Sequence, residues 1–307
     1  MSNLNLDDFY FDDDSYIKQE LKDIDLSGLT GGKHLRSKLI KLTAGLFNLE
    51  DQITQKLGRV VELVHNATLT HDDVVDNSHT RRGSVSVPAL INNKKSVLLG
   101  DYMLAKALHE LSEFDNPKLT GELTLTLKEL VEGEWIQYEN TNPYEISTHL
   151  YETLAIKKTG SLFRWCFLAP LIVFDKNSNI YELYQELGEQ LGVIFQMSDD
   201  VIDFNKESKK SYGLDFRNNN INYVLHFVGL SHPEVKIKFL QTEEITDLSK
   251  AELEIIDQAS ALAKETIQSK VNNCEKIVNK LKEKLPESEA SLDEINSIVK
   301  YITARVF

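Results

Sequence analysis

Apolar residues recur at intervals of three and four along most of this chain, and this pattern constrains the fold more than any other feature. In the stretch 55–76 the apolar stripe consists of Leu57, Val60, Val61, Val64 and Thr68. Such spacing places the side chains on one face of an α-helix. The same period returns in stretches 96–111, 121–138, 181–204 and 251–285.

Strand-like alternation, by contrast, is nearly absent. The best candidate, "SVSVPAL" at 84–90, is short and contains a proline, which cannot donate a hydrogen bond to a sheet. Helices are expected to stop at 31–32, 82–83, 114–117 and 284–288, where glycine or proline interrupts the pattern. With six prolines spread along the chain and no Gly/Ser/Pro-rich linker, the sequence predicts one all-α domain over residues 1–307.

Composition excludes several classes of protein. The net charge of −14 argues against nucleic-acid binding, which needs a basic surface. Cys166 and Cys274 are isolated, so neither a disulfide framework nor a thiolate zinc site is indicated. The apolar run at 165–174 is shorter than the ~20 residues of a transmembrane helix, and the acidic N-terminus lacks the plan of a signal peptide. We therefore expect a soluble cytoplasmic protein with no transmembrane segment.

The motif Asp-Asp-x-x-Asp occurs twice, at 72–76 and at 199–203. On a helix, Asp72 and Asp76 would share a face at roughly 5–6 Å, a repulsive spacing unless something offsets it. Carboxylates without Cys or His partners suit a hard cation, and Mg²⁺ takes one or two of them together with water and phosphate oxygens. Asp199 and Asp203 repeat the spacing, so two such faces could hold a phosphate-bearing ligand between metal ions.

Basic residues accompany the acidic motifs in three pairs: Lys33 with Arg36, Arg81 with Arg82, and Lys157 with Lys158. Arginine binds phosphate oxygens bidentately and lysine supplies a point charge. Any one of these charges, taken singly, is more readily explained as an exposed salt bridge. Their combination in an acidic protein favours binding of a metal–polyphosphate complex.

Six stretches, in order, resemble the trans-polyprenyl diphosphate synthase family: "GGKHLR" at 31, "ELVHNATLTHDDVVDNSHTRRG" at 62, "VLLGDYMLAKAL" at 97, "EGEWIQY" at 132, "KKTGSLF" at 157 and "GVIFQMSDDVID" at 192. The paired acidic motifs, one followed by Arg-Arg-Gly and the other preceded by Phe-Gln, make the resemblance specific. It implies the isoprenoid synthase fold, a ring of long antiparallel helices around a deep cavity, usually as a homodimer.

The resemblance also implies a reaction, in which isopentenyl diphosphate is condensed with an allylic prenyl diphosphate by a magnesium-dependent transferase. Asp72, Asp76 and Asp199 would bind Mg²⁺, for which Mn²⁺ could substitute. The metals would neutralise the departing diphosphate, so that the allylic substrate ionises to a carbocation. The double bond of isopentenyl diphosphate then attacks, and a proton is lost to the diphosphate.

The remaining roles follow from position in the motifs. Isopentenyl diphosphate would be held by Lys33, Arg36, His65 and Arg82, and the allylic diphosphate by Arg81 and Lys210. The carbocation would be stabilised by Lys158, Thr159 and Gln196.

Plainer interpretations exist for three of the residues considered. A lone histidine on an apolar stripe, such as His65, is more often a satisfied core residue. Thr159 could equally be a helix cap beside Gly160. Trp135 is expected in the core, or as the floor of a product cavity.

The chain departs from the family pattern after the second acidic motif. Lys210 and Asp215 match the expected positions, but Asn220 stands where a second lysine is typical, and Asn222 and Val224 replace threonine and proline. The region ahead of the Gly-Gly-Lys motif is also short. The replacements after the second acidic motif bear on how the site closes.

The size of residues near the first acidic motif predicts product length. In this family a bulky aromatic residue about one turn before the motif stops growth at short chains, whereas Ala67 and Thr68 are small. We expect a product longer than twenty carbons, suited to a quinone side chain, with a peripheral membrane contact for its release. The plainer interpretation is that Ala67 only permits close helix packing, and a short-chain synthase is the alternative.

Two other activities compete with this prediction. A class I terpene cyclase also ionises a prenyl diphosphate, but generally lacks the second intact motif and the isopentenyl-binding residues. A non-catalytic partner subunit of a heteromeric synthase tends to lose the acidic motifs, whereas both are present here, although the change at Asn220 keeps this alternative open. An assay of the purified protein alone distinguishes the synthase, the cyclase and the partner-subunit hypotheses.

Overall fold

The computed structural model describes residues 9–26, 29, 34–139, 147–174, 179–204, 221–241 and 248–304. Four residues considered above, Lys33, Lys210, Asp215 and Asn220, lie outside the described residues, so their roles stay predictions. Within the described ranges, no helix has the length and apolarity needed to cross a bilayer.

The described chain is helical apart from one short hairpin, which confirms the all-α prediction. The helices are α1 (Tyr16–Leu21), α2 (Leu35–Leu46), α3 (Asp51–Val75), α4 (Val87–Ile91), α5 (Asn93–Ser112), α6 (Pro117–Glu139), α7 (Thr148–Ala155), α8 (Ser161–Phe174), α9 (Tyr181–Asp203), α10 (Tyr223–Ser231), α11 (Pro233–Gln241), α12 (Lys250–Lys284) and α13 (Glu289–Thr303). A π turn, Ile156–Gly160, joins α7 to α8, and a 3₁₀ turn, Pro286–Ser288, precedes α13.

The chain divides into two compact units. Unit 1 consists of Met1–Glu122 and Ala169–Lys176, and unit 2 of Leu123–Leu168 and Asn177–Phe307. The prediction of a single domain over residues 1–307 stays a prediction.

Helix α3 is the central element of unit 1 and packs against α2 and α5. Four residues of its predicted stripe, Leu57, Val60, Val61 and Val64, have no exposed surface. The apolar period therefore identified the buried face correctly. The N-terminal segment adds to this core, because the Asn66 side chain on α3 donates to the hydroxyl of buried Tyr10 over 2.9 Å.

A tight hairpin follows α3, at the predicted break. Its strands, β1 (Thr80–Arg81) and β2 (Ser84–Val85), are antiparallel. The two loop residues, Arg82 and Gly83, have φ angles of 53° and 80°. Positive φ at both positions is what a type I′ turn requires. For arginine this conformation costs roughly 1–2 kcal/mol, so Arg82 occupies a strained position. The stretch 84–90, expected not to form a strand, contributes β2 and then begins α4.

Glycines bring three segments of unit 2 close together around the π turn. A Cβ atom added to Gly192 of α9 would lie 2.2 Å from the Cα atom of Gly160, and one added to Gly133 of α6 would lie 2.7 Å from the backbone nitrogen of Lys158. Only hydrogen fits at these contacts. Three of the quoted motifs therefore meet at this point because each supplies a glycine.

Replacing Gly192 with alanine is expected to destabilise the protein by about 1–3 kcal/mol, because its methyl group would strike backbone atoms that cannot rotate away. Urea unfolding followed by circular dichroism measures the loss. Gly121→Ala on α6 is the matched control, since among the described residues no atom outside the surrounding helix lies within 4 Å of its added Cβ, and there alanine should stabilise the helix slightly. Equal unfolding midpoints for Gly192→Ala and the wild type would contradict the close approach.

One core prediction is wrong. Trp135 has 66% of its surface exposed in the single chain. Its neighbours one turn away on α6, Val131 and Tyr138, are exposed to a similar extent. The helical period of α6 marks one apolar face that packs inside unit 2, and these three residues lie on another face.

Candidate active site

The first acidic motif lies at the end of α3. Asp72 is partly exposed on the last turn, and Asp76 is exposed immediately after the helix. The backbone nitrogen of Asp76 donates to the carbonyl oxygen of Asp72 over 2.8 Å, so the two residues are one turn apart, as predicted. Among the described residues, no three His, Cys, Asp or Glu side chains are grouped closely enough to hold a metal by themselves. Two carboxylates beside open solvent fit Mg²⁺, which takes its other ligands from water and phosphate.

The middle aspartate of this motif has a different role, which the sequence did not indicate. Asp73 is buried, and its Oδ1 accepts hydrogen bonds from Nε of Arg81, at 2.8 Å, and from Nη2 of the same guanidinium. The eight-residue separation spans the end of a helix and the first strand of a hairpin, so helical spacing could not have revealed the pair. This charge-assisted contact orients the first arginine of the Arg-Arg-Gly motif.

Two guanidinium groups converge on one imidazole nitrogen. His65 Nε2 lies 3.2 Å from Nη1 of Arg36 and 3.3 Å from Nη2 of Arg82. Guanidinium nitrogens only donate, so Nε2 must accept and the ring is neutral. Burial and the positive charges of Arg36 and Arg82 hold the pKa of His65 well below its usual value. The structure thus brings together three of the four residues predicted to bind isopentenyl diphosphate.

A buried carboxylate, Glu62, lies beside this cluster and was missed in the sequence. Its Oε1 accepts the backbone N–H of Ser37 over 3.2 Å, and its Oε2 lies 3.7 Å from Nδ1 of His34. Burial acts to raise the pKa of Glu62, but His34, Arg36 and Ser37 together hold it below the usual value. Its position three residues before His65 on α3 was the only available signal. Glu62 fixes the start of α2, which carries Arg36.

The lysines of unit 2 are tied to α6. Lys158 Nζ donates to Oε1 of Gln137 over 2.9 Å and pairs with Glu134 at 2.6 Å. Lys157 pairs with Glu132 at 2.6 Å. Both lysines lie in the π turn, a conformation that occurs frequently at functional sites.

Thr159 and Gln196 are joined in one chain of hydrogen bonds. The Thr159 hydroxyl donates to Gln196 Oε1 over 3.2 Å, and Gln196 Nε2 donates to Oδ1 of Asp200 over 3.2 Å. The hydroxyl therefore engages Gln196, and the helix-cap interpretation of Thr159 is unnecessary. Two residues predicted to act on the same carbocation are in direct contact.

The second acidic motif does not repeat the environment of the first. Asp199 is partly exposed, whereas Asp200 and Asp203 are buried, and Asp203 has 0% of its surface exposed. Oδ2 of Asp200 accepts the Tyr151 hydroxyl at 2.7 Å and the backbone N–H of Tyr223 at 2.8 Å. Burial raises the pKa of Asp200, whereas the hydrogen bonds from Tyr151, the Tyr223 backbone N–H and Gln196 favour its ionised form. The expected equivalence of Asp203 and Asp76 fails, because the end of α9 packs inside unit 2 while Asp76 lies at the surface.

Comparison with known sequences gives one family. The profile of the family described as polyprenyl synthetase matches residues 19–259. A decaprenyl-diphosphate synthase from Dictyostelium discoideum is 31% identical over an alignment of 272 positions that covers 84% of this chain. The chain spans 57% of the length of that protein.

Solved structures agree on the fold. A decaprenyl diphosphate synthase from Rhodobacter capsulatus covers 98% of this chain, and 94% of its own, with a TM-score of 0.84 at 24% identity. A polyprenyl synthase from Caulobacter crescentus, complexed with calcium and isoprenyl diphosphate, covers 98% of this chain and 93% of its own, with a TM-score of 0.77 at 25% identity. These likenesses confirm the expected isoprenoid synthase fold.

Proposed function

Because the chain belongs to the polyprenyl synthetase family, we propose that it condenses isopentenyl diphosphate with an allylic prenyl diphosphate to give a longer all-trans polyprenyl diphosphate. One observation carries this proposal: Arg36 and Arg82 converge on a neutral His65 in a chain whose net charge is −14. Gathering two cations at mutual electrostatic cost is useful where an anion will bind between them. A diphosphate is such an anion.

We propose that Asp72, Asp76 and Asp199 bind Mg²⁺, with Mn²⁺ as a substitute. Bound Mg²⁺ would neutralise the allylic diphosphate and make it a better leaving group. The exposure of Asp76 and the partial exposure of Asp72 and Asp199 support this assignment, because a metal–diphosphate complex can reach residues at the surface. The calcium and isoprenyl diphosphate of the Caulobacter complex support the same pairing of ligands.

Isopentenyl diphosphate would be bound by Lys33, Arg36, His65 and Arg82. The two guanidinium groups are already oriented by Nε2 of His65, so little side-chain freedom is lost when they bind phosphate oxygens. A neutral imidazole lets both arginines approach without adding a third charge. Arg81, oriented by Asp73, and Lys210 would contact the allylic diphosphate.

The carbocation would be stabilised by Lys158, Thr159 and Gln196. When the allylic carbon–oxygen bond breaks, its electrons leave with the diphosphate, and the carbon skeleton becomes positive. The negative ends of the Gln196 amide and the Thr159 hydroxyl are fixed dipoles that suit this charge. The double bond of isopentenyl diphosphate then forms the new carbon–carbon bond, and the proton that is lost passes to the diphosphate.

We propose a long-chain product, of more than twenty carbons, for a quinone side chain. The small Ala67 and the decaprenyl synthase relatives support this length. Such a product would be released through a peripheral membrane contact. The buried free cysteines Cys166 and Cys274 suit a cytoplasmic location. A short-chain product and a non-catalytic role in a heteromer are the alternatives.

The direct test uses the purified protein alone with isopentenyl diphosphate, farnesyl diphosphate and Mg²⁺. Chromatography of the dephosphorylated products should show a prenyl alcohol longer than twenty carbons, absent when excess chelator is added. A product formed without isopentenyl diphosphate would indicate a cyclase. No product from the protein alone would contradict the proposal and favour a partner subunit.

Arg36→Ala and His65→Ala are expected chiefly to raise the KM for isopentenyl diphosphate. Each variant loses a charge-assisted contact, or the partner that orients one, and such a contact is worth about 1.5–3 kcal/mol. The loss corresponds to a rise in KM of roughly 10- to 150-fold. Steady-state titration of each substrate measures the effect. Arg59→Ala is a matched control, because Arg59 lies on α3 but pairs with Glu110. An equal rise in the KM for the allylic substrate would contradict the assignment.

We also propose a homodimer whose interface includes the face of α6 formed by Val131, Trp135 and Tyr138. Large exposed apolar side chains grouped one turn apart typically mark a protein interface. A two-fold symmetric dimer would cover this face on both copies. Light scattering should report a dimer for the wild type and a monomer for Trp135→Glu; a dimeric variant would place the interface elsewhere.

A further inference from the structure

Asp200 makes a set of contacts that the proposed metal site does not explain. Its carboxylate receives hydrogen bonds from three elements: Gln196 on its own helix, Tyr151 on α7 and the first backbone N–H of α10, at Tyr223. Its backbone oxygen also accepts Nδ2 of Asn222 over 3.4 Å. A buried carboxylate held by so many donors cannot turn outward to join a metal. The fixed carboxylate therefore constrains the orientation of the groups that bond to it.

The neighbour whose chemistry depends on this position is Gln196. A carboxamide has a positive end, the NH₂ group, and a negative end, the oxygen, and it can rotate to exchange them. Here Nε2 donates to Asp200 Oδ1, so Oε1 is directed to the Thr159 hydroxyl. An oxygen in this place stabilises a nearby carbocation, and an NH₂ group in its place would oppose one.

Tyr151 in turn fixes Asp200. Its side chain has no exposed surface, and its hydroxyl bonds Oδ2 over 2.7 Å. The backbone N–H of Tyr223 bonds the same oxygen. Because Oδ2 is held from two sides, Oδ1 is left to face Gln196, and the carboxylate cannot rotate.

We propose that Asp200 and Tyr151 are positioning residues for condensation, which hold the Gln196 carboxamide with its oxygen directed to the carbocation. This rests on the proposed function, because it gives Gln196 a carbocation to stabilise. If the network only packed α7, α9 and α10 together, its loss would lower stability without a specific effect on kcat.

Asp200→Asn tests the orientation with almost no change in shape. The introduced amide keeps its oxygen toward Tyr151 and the N–H of Tyr223, so its NH₂ group faces that of Gln196. Two donors cannot bond, and the Gln196 amide must turn. We expect kcat to fall about 100-fold, as for loss of one preorganised dipole, and kcat/KM for both diphosphates to fall equally, since the interaction is made only in the transition state.

Exchanging the two functional groups should restore the orientation. In the double variant Asp200→Asn with Gln196→Glu, the introduced amide donates to the introduced carboxylate, whose other oxygen again meets Thr159. We expect kcat to recover at least tenfold over Asp200→Asn, because the negative end of the group faces the carbocation again. Tyr151→Phe, a milder variant, should lower kcat about tenfold, and should add little to Asp200→Asn because the residues act together.

The assays are run at saturating Mg²⁺ with a full metal titration, and each variant is unfolded thermally. Unchanged kcat in both Asp200→Asn and Tyr151→Phe would overturn the proposal. So would a loss of activity that disappears at higher Mg²⁺, which would indicate an effect through Asp199, or failure of the exchange variant to recover while folded. A wild-type protein without activity would overturn the proposed function, and this proposal with it.

Discussion

Replacing Asp72 or Asp199 with alanine is expected to reduce turnover by about three orders of magnitude, since metal stabilisation of a departing diphosphate contributes several kcal/mol. Both side chains are partly exposed at helix positions, so their removal should leave the fold intact. Steady-state assay at saturating substrate, beside far-ultraviolet circular dichroism, measures both expectations. Mg²⁺ titration should show that the residual activity requires more metal.

The control for these variants is Asp257→Ala, at an exposed position on α12. This variant also removes a carboxylate, but from a residue that is not assigned to the metal, and it should retain wild-type turnover. Excess chelator should abolish wild-type activity, and added Mg²⁺ or Mn²⁺ should restore it. Near-wild-type turnover in either Asp72→Ala or Asp199→Ala would show that the metal is held by other residues.

Replacing Ala67 with phenylalanine is expected to shorten the product by several isoprene units. Ala67 lies five residues before Asp72, which on a helix places it about 7–8 Å from the carboxylate along α3. A growing tail that starts at the metal and runs back along α3 would meet the aromatic ring at this depth. Ala67 has 0% of its surface exposed, so the ring cannot turn outward to solvent.

Chromatography of the dephosphorylated products decides this prediction. Ala261→Phe, at an exposed position on α12, adds the same ring away from α3 and should leave product length unchanged. If Ala67 only permits close packing, Ala67→Phe should lose thermal stability through overpacking and yield less product of unchanged length. That result would place the length-determining residue elsewhere.

The sequence predicted where helices form better than it predicted which helix faces are covered or where the short hairpin lies. A period of three and four residues depends only on local geometry, so the buried stripe of α3 was identified correctly, as was the end of α12 at Lys284. Trp135 was placed in the core because the same period cannot tell which apolar face is covered inside one chain. The hairpin at 80–85 was missed because two residues per strand are too few to show alternation.

For the candidate site, motifs predicted groups of residues but not their pairings. Arg36, His65 and Arg82 were assigned together and lie in contact. The bonds of Asp73 to Arg81 and of Asp200 to Tyr151 were not foreseen. They join residues on different elements, and which donor meets which carboxylate depends on tertiary packing. The sequence alone does not distinguish the roles of the three aspartates in an Asp-Asp-x-x-Asp motif, because those roles depend on which of them is buried.

The π turn at Ile156–Gly160 has a consequence for how this protein can evolve. Such a turn holds one residue more than the α-helix around it. Deleting that residue would close the turn to an ordinary α-helical one, so the helices on either side could keep their faces while the backbone inside the turn moved. The close approaches of Gly133 and Gly192 are made to this part of the backbone, at Lys158 and Gly160, and would be altered. A deletion would therefore redirect Lys157, Lys158 and Thr159 together, whereas a point substitution changes one side chain, so related sequences should differ in residue type here but keep the same length.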